Sequence, residues 1–435
     1  MTRLNNIWVL LFGALLIGVP WGYAVIPLLA GGSLLLWLGM RPRSIRRLQC
    51  LDRDDAWLCL ALLVFGGVWL ADVGRSGHWP VGQGNQGVML PLWPLLAAAF
   101  LAGLRLRPLT PGVLWAAVSL GALGAGSIAL YERLIIGHAR AANGMNAIPF
   151  GNLSLLLGGL SFIGALWCMR GAKTQHKSLL ALTLVAGLAG MLGSLLSGTR
   201  GGWIAAPLLL WVIYRAAREV LSLACLHRLA AGMLMLLIAV VMVPQSGVRD
   251  RVALAVSNVE AYWTQDVRGT SVGLRLEMWR AGGSLFVERP WLGWGEGALE
   301  VARDDLVAEG RLHPGISRHD QLHSDLIDTA ARRGSLGLLS LLLLYGVPIG
   351  LFWKHLRAPG AGAEIRLLAA AGMMVPVAFI DFGLTQSMLR DARGLSGYLG
   401  LLVICWTVLR QAQVSAPDAA LRRGSATWLS KRCTG

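Results

Sequence analysis

The stretch RHDQLHSDLIDTAARRGSLGLLSLLLLYGVPIGLFW (318–353) decides the fold, because it leads from a polar segment straight into an apolar one. Residues 336–353 carry no charged side chain, and as a helix they approach the thickness of a bilayer's hydrocarbon core. In lipid such a run must be helical, because a lipid-exposed strand would leave its backbone groups without hydrogen bonds. We therefore predict that a membrane helix begins here, directly after a polar segment that lies outside the membrane.

The apolar run at 336–353 is one of twelve along the chain. The others lie at residues 7–19, 23–40, 56–71, 87–104, 111–130, 151–169, 179–196, 203–214, 229–243, 367–384 and 395–409. With 55% hydrophobic and 14% charged residues and a mean hydropathy of +0.59, the 435-residue chain is too apolar for a soluble protein. We predict an all-α polytopic membrane protein with about twelve transmembrane helices. The first should be uncleaved, because no A-x-A-like cleavage site follows it.

One long polar stretch interrupts this pattern and divides the chain into parts. We predict nine transmembrane helices in residues 1–246, a large loop at 247–333, three more transmembrane helices in 334–410 and a tail at 411–435. The loop should be structured and mainly helical, because four of its segments have helix-compatible apolar spacing. These segments are 252–263, 275–286, 297–310 and 319–334. A membrane protein that devotes this much chain to one loop is expected to carry its active site there.

The positive charges orient the chain in the membrane. With the N-terminus in the cytoplasm, the cytoplasmic segments hold 22 Lys and Arg residues, whereas the short loops on the opposite side hold six. Both termini are therefore predicted to be cytoplasmic and the long loop to lie outside, where no cysteine falls. The net charge of +16 follows largely from this bias and from contact with anionic membrane lipid, so no nucleic acid is implied. The eleven arginines of the long loop lack that explanation and indicate an anionic ligand.

Two segments offer arginines that could bind such a ligand. The turn SGTRGGW (197–203) carries Arg200 between glycines, which allow close backbone approach and suit a turn that presents one guanidinium. In the predicted helix at 275–286, Arg275 shares a face with an apolar Trp, while Arg280 points elsewhere and is a supporting candidate. The alternatives are an Arg200 that binds lipid phosphate or caps a helix, and an ordinary amphipathic helix at the membrane surface.

Two histidines form the third candidate site. On a helix, His319 and His323 would share one face, a spacing similar to the H-E-x-x-H of zinc hydrolases. However, Asp320 replaces the Glu and a zinc site needs a third ligand, so we predict no metal and no cofactor. Histidine titrates near neutrality and suits a general base, with Asp325 nearby as a supporting residue. A zinc hydrolase remains an alternative.

Asp381 is a carboxylate inside a predicted membrane helix. Such a residue is costly and by default indicates function, although pairing with Arg390, Arg393 or a loop arginine would give it a structural role. A proton-coupled transporter would need several such residues in its helices, and this chain has essentially one. A transporter is therefore the less favoured alternative from a different functional class.

These segments together resemble the lipopolysaccharide O-antigen ligases, whose superfamily also includes O-antigen polymerases and O-linked oligosaccharyltransferases. SGTRGGW (197–203) is similar to the family's S-x-T/S-R-G segment. GLRLEMWRAG…ERPWLGWGEG (273–297) is similar to its R-x-x-x-W…P-W/L-L-G-x-G block, and HSDLIDTAARRGSLG (323–337) to its H-N-x-x-L…G-x-x-G ending. The resemblance extends over nearly the whole chain, including twelve helices, cytoplasmic termini and a large periplasmic loop before the last three helices.

The match departs from the family at the histidines. The family commonly has H-x-H-N, whereas Gln321 and Ser324 stand here in place of the first His and the Asn. His323 is therefore the candidate for the essential histidine, and His319 has a supporting role.

The resemblance implies a glycosyltransferase of the bacterial inner membrane with no cofactor. Its donor would be an O-antigen glycan on undecaprenyl diphosphate, and its acceptor a sugar hydroxyl of lipid A–core at the periplasmic face. We expect Arg200 and Arg275 to bind the pyrophosphate leaving group and His323 to accept the hydroxyl proton, in a metal-independent displacement that inverts the anomeric carbon. A polymerase or a protein-directed oligosaccharyltransferase would use the same leaving-group site and differ in its acceptor.

Overall fold

The computed structural model describes residues 2–40, 51–80, 89–105, 109–170, 177–199, 201, 206–242 and 248–432. All regular structure in these ranges is helical, as predicted. The α-helices are α1 (Thr2–Gly18), α2 (Gly22–Met40), α3 (Arg53–Ser76), α4 (Trp93–Arg105), α5 (Pro111–Leu130), α6 (Ala147–Met169), α7 (Lys177–Leu196), α8 (Ala206–Ala217), α9 (Leu223–Met242), α10 (Val248–Thr264), α11 (Ser271–Glu288), α12 (Ala298–Ala308), α13 (Asp325–Leu356), α14 (Ala363–Thr385) and α15 (Ala392–Arg432).

The helices agree with the predicted apolar runs. Each of the twelve runs overlaps one of α1–α9 or α13–α15. Among the described residues, seven helices are long and apolar enough to cross a membrane by length and composition, namely α3, α5, α6, α7, α13, α14 and α15. Shorter apolar helices occur within α1, α2 and α8 and around α4. The protein is thus a helical membrane protein, while the number of twelve spans and the side on which the loop lies stay predictions.

Glycines let the membrane helices pack closely. A Cβ at Gly190 of α7 would lie 2.7 Å from the Cα of Gly158 in α6, and one at Gly121 of α5 would lie 2.3 Å from the carbonyl oxygen of Gly13 in α1. Small residues drive helix association in lipid because they let backbones approach each other. Of the seven long apolar helices, α14 and α15 are the most enclosed, with 83% and 89% of their membrane-length segments buried. Helix α14 therefore offers a rigid support for whatever lies at its end.

The loop at 289–297 is packed against a kink in α13. Gly334 has φ 61° and ψ −155°, so the helix is interrupted between a first part at 325–333 and the apolar part that follows. A Cβ at Gly334 would lie 2.4 Å from the backbone of Trp291, and the amide of Ser335 donates to the carbonyl of Pro290 at 2.7 Å. The amides of Trp294 and Gly295 donate to carbonyls of α13 before the kink. Loop and membrane helix are therefore joined along their backbones.

Three of the four predicted loop helices are present as α10, α11 and α12, but the fourth prediction is wrong in its first six residues. Helix α13 begins at Asp325 rather than at residue 319. His323 has a left-handed backbone with φ 51°, and Ser324 is extended with φ −157°. A right-handed helix passes through neither conformation. The predicted i,i+4 helical face for His319 and His323 is therefore incorrect.

Candidate active site

The two histidines lie close together although they are not on a helix. Their ring centroids are 5.0 Å apart with an interplanar angle of 76°, and His323 Nε2 lies 3.4 Å from His319 Nδ1. Arg303 of α12 donates a hydrogen bond to the carbonyl oxygen of His319 and so fixes the segment from the loop side. His323 is buried, whereas His319 is half-buried. The pair thus forms the edge of a site that solvent reaches from the side of His319.

The other side of His323 is held by the end of α14. His323 Nδ1 lies 2.7 Å from Gln386 Oε1, and Gln386 is only 1% exposed. The hydroxyl of Ser324 donates to the carbonyl of Gly383 at 3.1 Å, and Asp325 accepts a hydrogen bond from the amide of Leu389 at 2.9 Å. Three consecutive residues therefore attach the start of α13 to the segment after α14.

Helix α11 brings a positive charge to the histidines. The pKa of His323 is lowered to about 4, chiefly by burial and in part by the guanidinium of Arg275, while the hydrogen bond with Gln386 opposes the change. The pKa of His319 is also lowered, first by burial and in part by Arg275, while Asp320 opposes the change. Arg275 thus lies close enough to both rings to disfavour their protonation. The site therefore combines a neutral imidazole, which can accept a proton, with a cation that can bind an anionic group.

A buried charge network lies beneath this site. Glu296, 1% exposed, accepts two hydrogen bonds from Arg390 at 2.7 and 2.9 Å, one from Arg332 at 3.1 Å and one from Trp69 of α3 at 3.1 Å. Burial alone would raise the pKa of Glu296, but Arg390, Arg332 and Arg333 together lower it to about 2. The carboxylate is therefore ionised at neutral pH and joins the loop, α13, α3 and the segment before α15.

Asp328 extends the network toward His323. One of its oxygens accepts a hydrogen bond from the backbone amide of Leu322 at 3.1 Å, and the other lies 3.2 Å from Arg332 Nε and 3.4 Å from Arg390 Nε. Because Leu322 directly precedes His323, the network fixes the backbone that carries the histidine.

Arg280 is placed differently from Arg275. Its guanidinium lies 3.9 Å from Glu277 of the same helix and is 58% exposed. Glu277 is fully buried and also accepts hydrogen bonds from the hydroxyl of Tyr262 at 2.6 Å and the amide of His313 at 2.8 Å. Arg280 therefore contributes to the ion pairs that hold α10, α11 and the segment before α13 together.

Arg200 lies outside the described residues, but its neighbours are described. Thr199 donates to the carbonyl of Ala147 at 2.8 Å, so the turn after α7 is attached to the start of α6. A Cβ at Gly201 would lie 2.2 Å from the hydroxyl oxygen of Thr385, the last residue of α14. The glycine-rich turn and the segment that holds His323 therefore meet at the same helix end.

Among the described residues, Asp381 does not pair with Arg390 or Arg393, the alternative that would have given it a structural role. Arg390 binds Glu296 and Asp328, and the guanidinium of Arg393 lies 5.6 Å from the ring of Tyr23. Asp381 is 3% exposed, and its Oδ2 has no hydrogen-bond partner among the residues that the structure describes. The sequence suggested the pairing because Arg390 follows α14 closely, but the acidic residues of the loop and α13 occupy that arginine instead.

The sequence did not predict several residues that support the site. The main ones are Gln386, Glu296, Arg332 and Arg390. Glutamine in a sequence carries no charge pattern that would single it out, and Glu296 stood in a segment recognised only for its turns. Within the described ranges, no group of three His, Cys, Asp or Glu side chains is arranged to hold a metal ion.

Comparison with known proteins adds two similarities. Residues 182–342 match the family model described as O-antigen ligase, and this range includes Arg200, Arg275 and His323. The chain is 24% identical over 410 residues to an uncharacterized protein of Haemophilus influenzae. The aligned region covers 94% of this chain and 98% of that protein. The similarity thus extends well beyond the matched segment.

Proposed function

We propose that this chain, whose residues 182–342 carry the O-antigen ligase family domain, moves a glycan en bloc from undecaprenyl diphosphate to a sugar hydroxyl of lipid A–core. The observation that carries the proposal is a buried His323 beside Arg275, within that domain and at the junction of loop and membrane helix. Transfer between two membrane-bound substrates requires a site near the membrane surface, such as a junction between a loop and a membrane helix. The reaction would take place at the periplasmic face of the inner membrane.

The chemistry follows from these two residues. The oxygen of the acceptor hydroxyl attacks the anomeric carbon of the donor, and the bond from that carbon to the pyrophosphate oxygen breaks with its electron pair. His323 accepts the hydroxyl proton, and Arg275 stabilises the charge that develops on the pyrophosphate, with Arg200 as its proposed partner. A single displacement inverts the anomeric carbon. Removing one such electrostatic contact typically raises the barrier by about 3–4 kcal/mol.

A lipid-linked donor also needs room for its hydrocarbon tail. An apolar groove of about 710 Å³, including its open mouth, lies between α1, α2, α4 and α15. Its lining includes Phe12, Ile26, Leu96, Phe100, Leu399 and Ile404. At one end Trp93 stacks on Tyr23 at 6.3 Å, and Tyr23 faces Arg393, three residues after Arg390 of the network. We propose that the tail occupies this groove, because the arginine at its end is close in sequence to Arg390, which supports the site.

The function is tested with purified protein, undecaprenyl-diphosphate-linked glycan, and lipid A–core either present or absent, in EDTA. We expect glycan to appear on lipid A–core, and we expect His323→Ala and Arg275→Ala to reduce turnover by about 100-fold or more. Arg280→Ala is the matched control, because this neighbour on α11 pairs with Glu277 and is exposed; it should retain turnover.

The other outcomes identify the alternatives. Elongation of the glycan on its own carrier without lipid A–core would make the protein a polymerase. Transfer that EDTA abolishes and magnesium restores would overturn the metal-independent mechanism. If neither transfer nor elongation occurs, the glycosyltransferase proposal fails and a transporter becomes the better interpretation.

A further inference from the structure

We propose that Gln386 is a positioning residue that fixes the tautomer of His323, so that Nε2 of the imidazole carries the lone pair which accepts the proton. The inference rests on the proposed function, because it assigns the partner of the proposed base. It concerns a residue that follows α14, 63 positions after the histidine and outside the segment that matches the family model.

The hydrogen bond determines which nitrogen is protonated. His323 Nδ1 lies 2.7 Å from Gln386 Oε1, and both side chains are buried, with 8% and 1% exposure. An amide oxygen can only accept a hydrogen bond, so Nδ1 must carry the proton. A neutral imidazole has only one N–H group, which leaves Nε2 with a lone pair.

The lone pair points to the open side of the site. Nε2 faces His319, which is half-buried, across 3.4 Å. That distance is long for a hydrogen bond, so the contact is weak and a substrate hydroxyl can replace it. In the opposite tautomer the lone pair would lie on Nδ1 and face the side-chain amide of Gln386. Nε2 would then carry a hydrogen and could not accept the proton of the acceptor hydroxyl.

Gln386 itself is held in place from two directions. The backbone N–H of Gln386 donates to the carbonyl of Phe382 at 3.1 Å. This bond continues the hydrogen bonding of α14 by one residue. Four residues later, Arg390 binds the buried Glu296 with two hydrogen bonds. The glutamine is therefore fixed between a rigid helix and the charge network, as a group that orients a catalytic ring must be.

The neutrality of the glutamine also has a chemical consequence. The titratable and charged groups that face His323 are Arg275 of α11, His319 of the preceding loop and Asp328 of α13. Among them Gln386 accepts a hydrogen bond without adding a negative charge. A carboxylate at this position would stabilise the imidazolium and retain the proton after each transfer. An amide instead orients the ring and lets the proton leave.

The test compares pH profiles of glycan transfer from undecaprenyl diphosphate to lipid A–core. In Gln386→Glu, which has nearly the same shape, we expect the acid limb of the profile to move to higher pH by about 1–3 units, because a carboxylate favours the charged ring. In Gln386→Leu we expect turnover to fall by about 10- to 100-fold with little change in KM, because the ring loses its orientation. The acid limb of this variant should move to lower pH.

A second histidine–glutamine pair supplies the control. Gln413 Nε2 lies 2.8 Å from His355 Nδ1 in another part of the structure. Gln413→Glu should leave the acid limb unchanged, and each variant is compared for monodispersity in detergent. Loss of transfer in His323→Ala together with an unmoved acid limb in a folded Gln386→Glu would overturn the positioning role alone. Full transfer in His323→Ala would instead overturn the proposed function.

Discussion

His323 combines two properties that rarely occur in one residue. Its backbone lies in the left-handed region with φ 51°, where histidine is more frequent than most residues but still uncommon. Its ring is buried between Gln386 and His319. Residues in such conformations cluster at active sites, where the surrounding structure holds them. Here the bonds of Ser324 and Asp325 to the segment after α14 supply that constraint.

Arg275 should influence the base as well as the leaving group. Because its charge lowers the pKa of both histidines, Arg275→Ala should raise the pKa of His323 above about 4. The acid limb of any residual transfer should therefore move to higher pH, and kcat should fall. Measurement of the pH profiles of the wild type, Arg275→Ala and the control Arg280→Ala checks this. An unchanged limb in Arg275→Ala would separate the arginine from the histidines.

At this scale the sequence singled out the candidate reacting residues but not the residues that support them. Arg200, Arg275 and the two histidines stood out chiefly because their segments resemble the motifs of the O-antigen ligases. Gln386 could not be foreseen, because its role depends on a contact across 63 residues of sequence. The left-handed His323 was also missed, since the apolar spacing of 319–334 was equally compatible with one continuous helix.

Among the elements, the loop at 289–297 depends on Glu296 for its attachment to the helices. Glu296→Gln would remove the carboxylate that binds both Arg332 and Arg390 and leave Asp328 as the carboxylate they share, which should cost on the order of 3 kcal/mol of stability. Thermal unfolding in detergent measures the loss. Glu309→Gln is the control, because Glu309 pairs with Arg311 at an exposed position, and it should unfold like the wild type.

The pH dependence of this contribution has a definite sign. The folded protein lowers the pKa of Glu296 from 4.5 to about 2. The contribution is therefore present above about pH 4.5 and is lost as the pH falls toward 2. Wild type and Glu296→Gln should differ in stability at pH 7 and converge on acidification. A difference that stays constant down to pH 2 would contradict the ionised carboxylate.

Helix positions were easier to predict than helix starts. Every predicted apolar run overlaps a helix of the described residues, since a long apolar segment in lipid has few other choices. The start of α13 was misplaced because polar residues before a membrane helix can continue it or form a turn. The sequence shows the glycine at position 334, but it does not predict the kink there. The close approach of the Trp291 backbone accounts for the φ of 61° at Gly334.

For the whole molecule, the side of the membrane on which the loop lies can be measured directly. In a background without other cysteines, Ser257→Cys on the exposed surface of α10 should react with a membrane-impermeant maleimide in intact spheroplasts. A variant that keeps only Cys225, at the start of α9, should react only after permeabilisation. The reverse pattern would place the loop in the cytoplasm and exclude a periplasmic reaction.

The groove between α1, α2, α4 and α15 predicts a dependence on tail length. Ala97 lines this groove, so Ala97→Trp should fill it and raise KM for an undecaprenyl donor. A donor analogue with a short isoprenoid tail should be used as well as before. Leu28→Trp is the control, because Leu28 is 58% exposed on α2 and does not line the groove. Equal effects on both donors would remove the tail from this groove.

The buried network around Glu296 also sets an order of assembly. Trp69, Glu296 and Arg390 are synthesised at three widely separated times, and the glutamate cannot complete its hydrogen bonds until the segment before α15 has left the ribosome. During that interval a carboxylate and several guanidinium groups of the nascent chain must remain hydrated. The candidate active site is therefore one of the last parts of the protein to complete its contacts. A chain that stops before residue 390 would present unpaired charges that quality-control proteases can recognise.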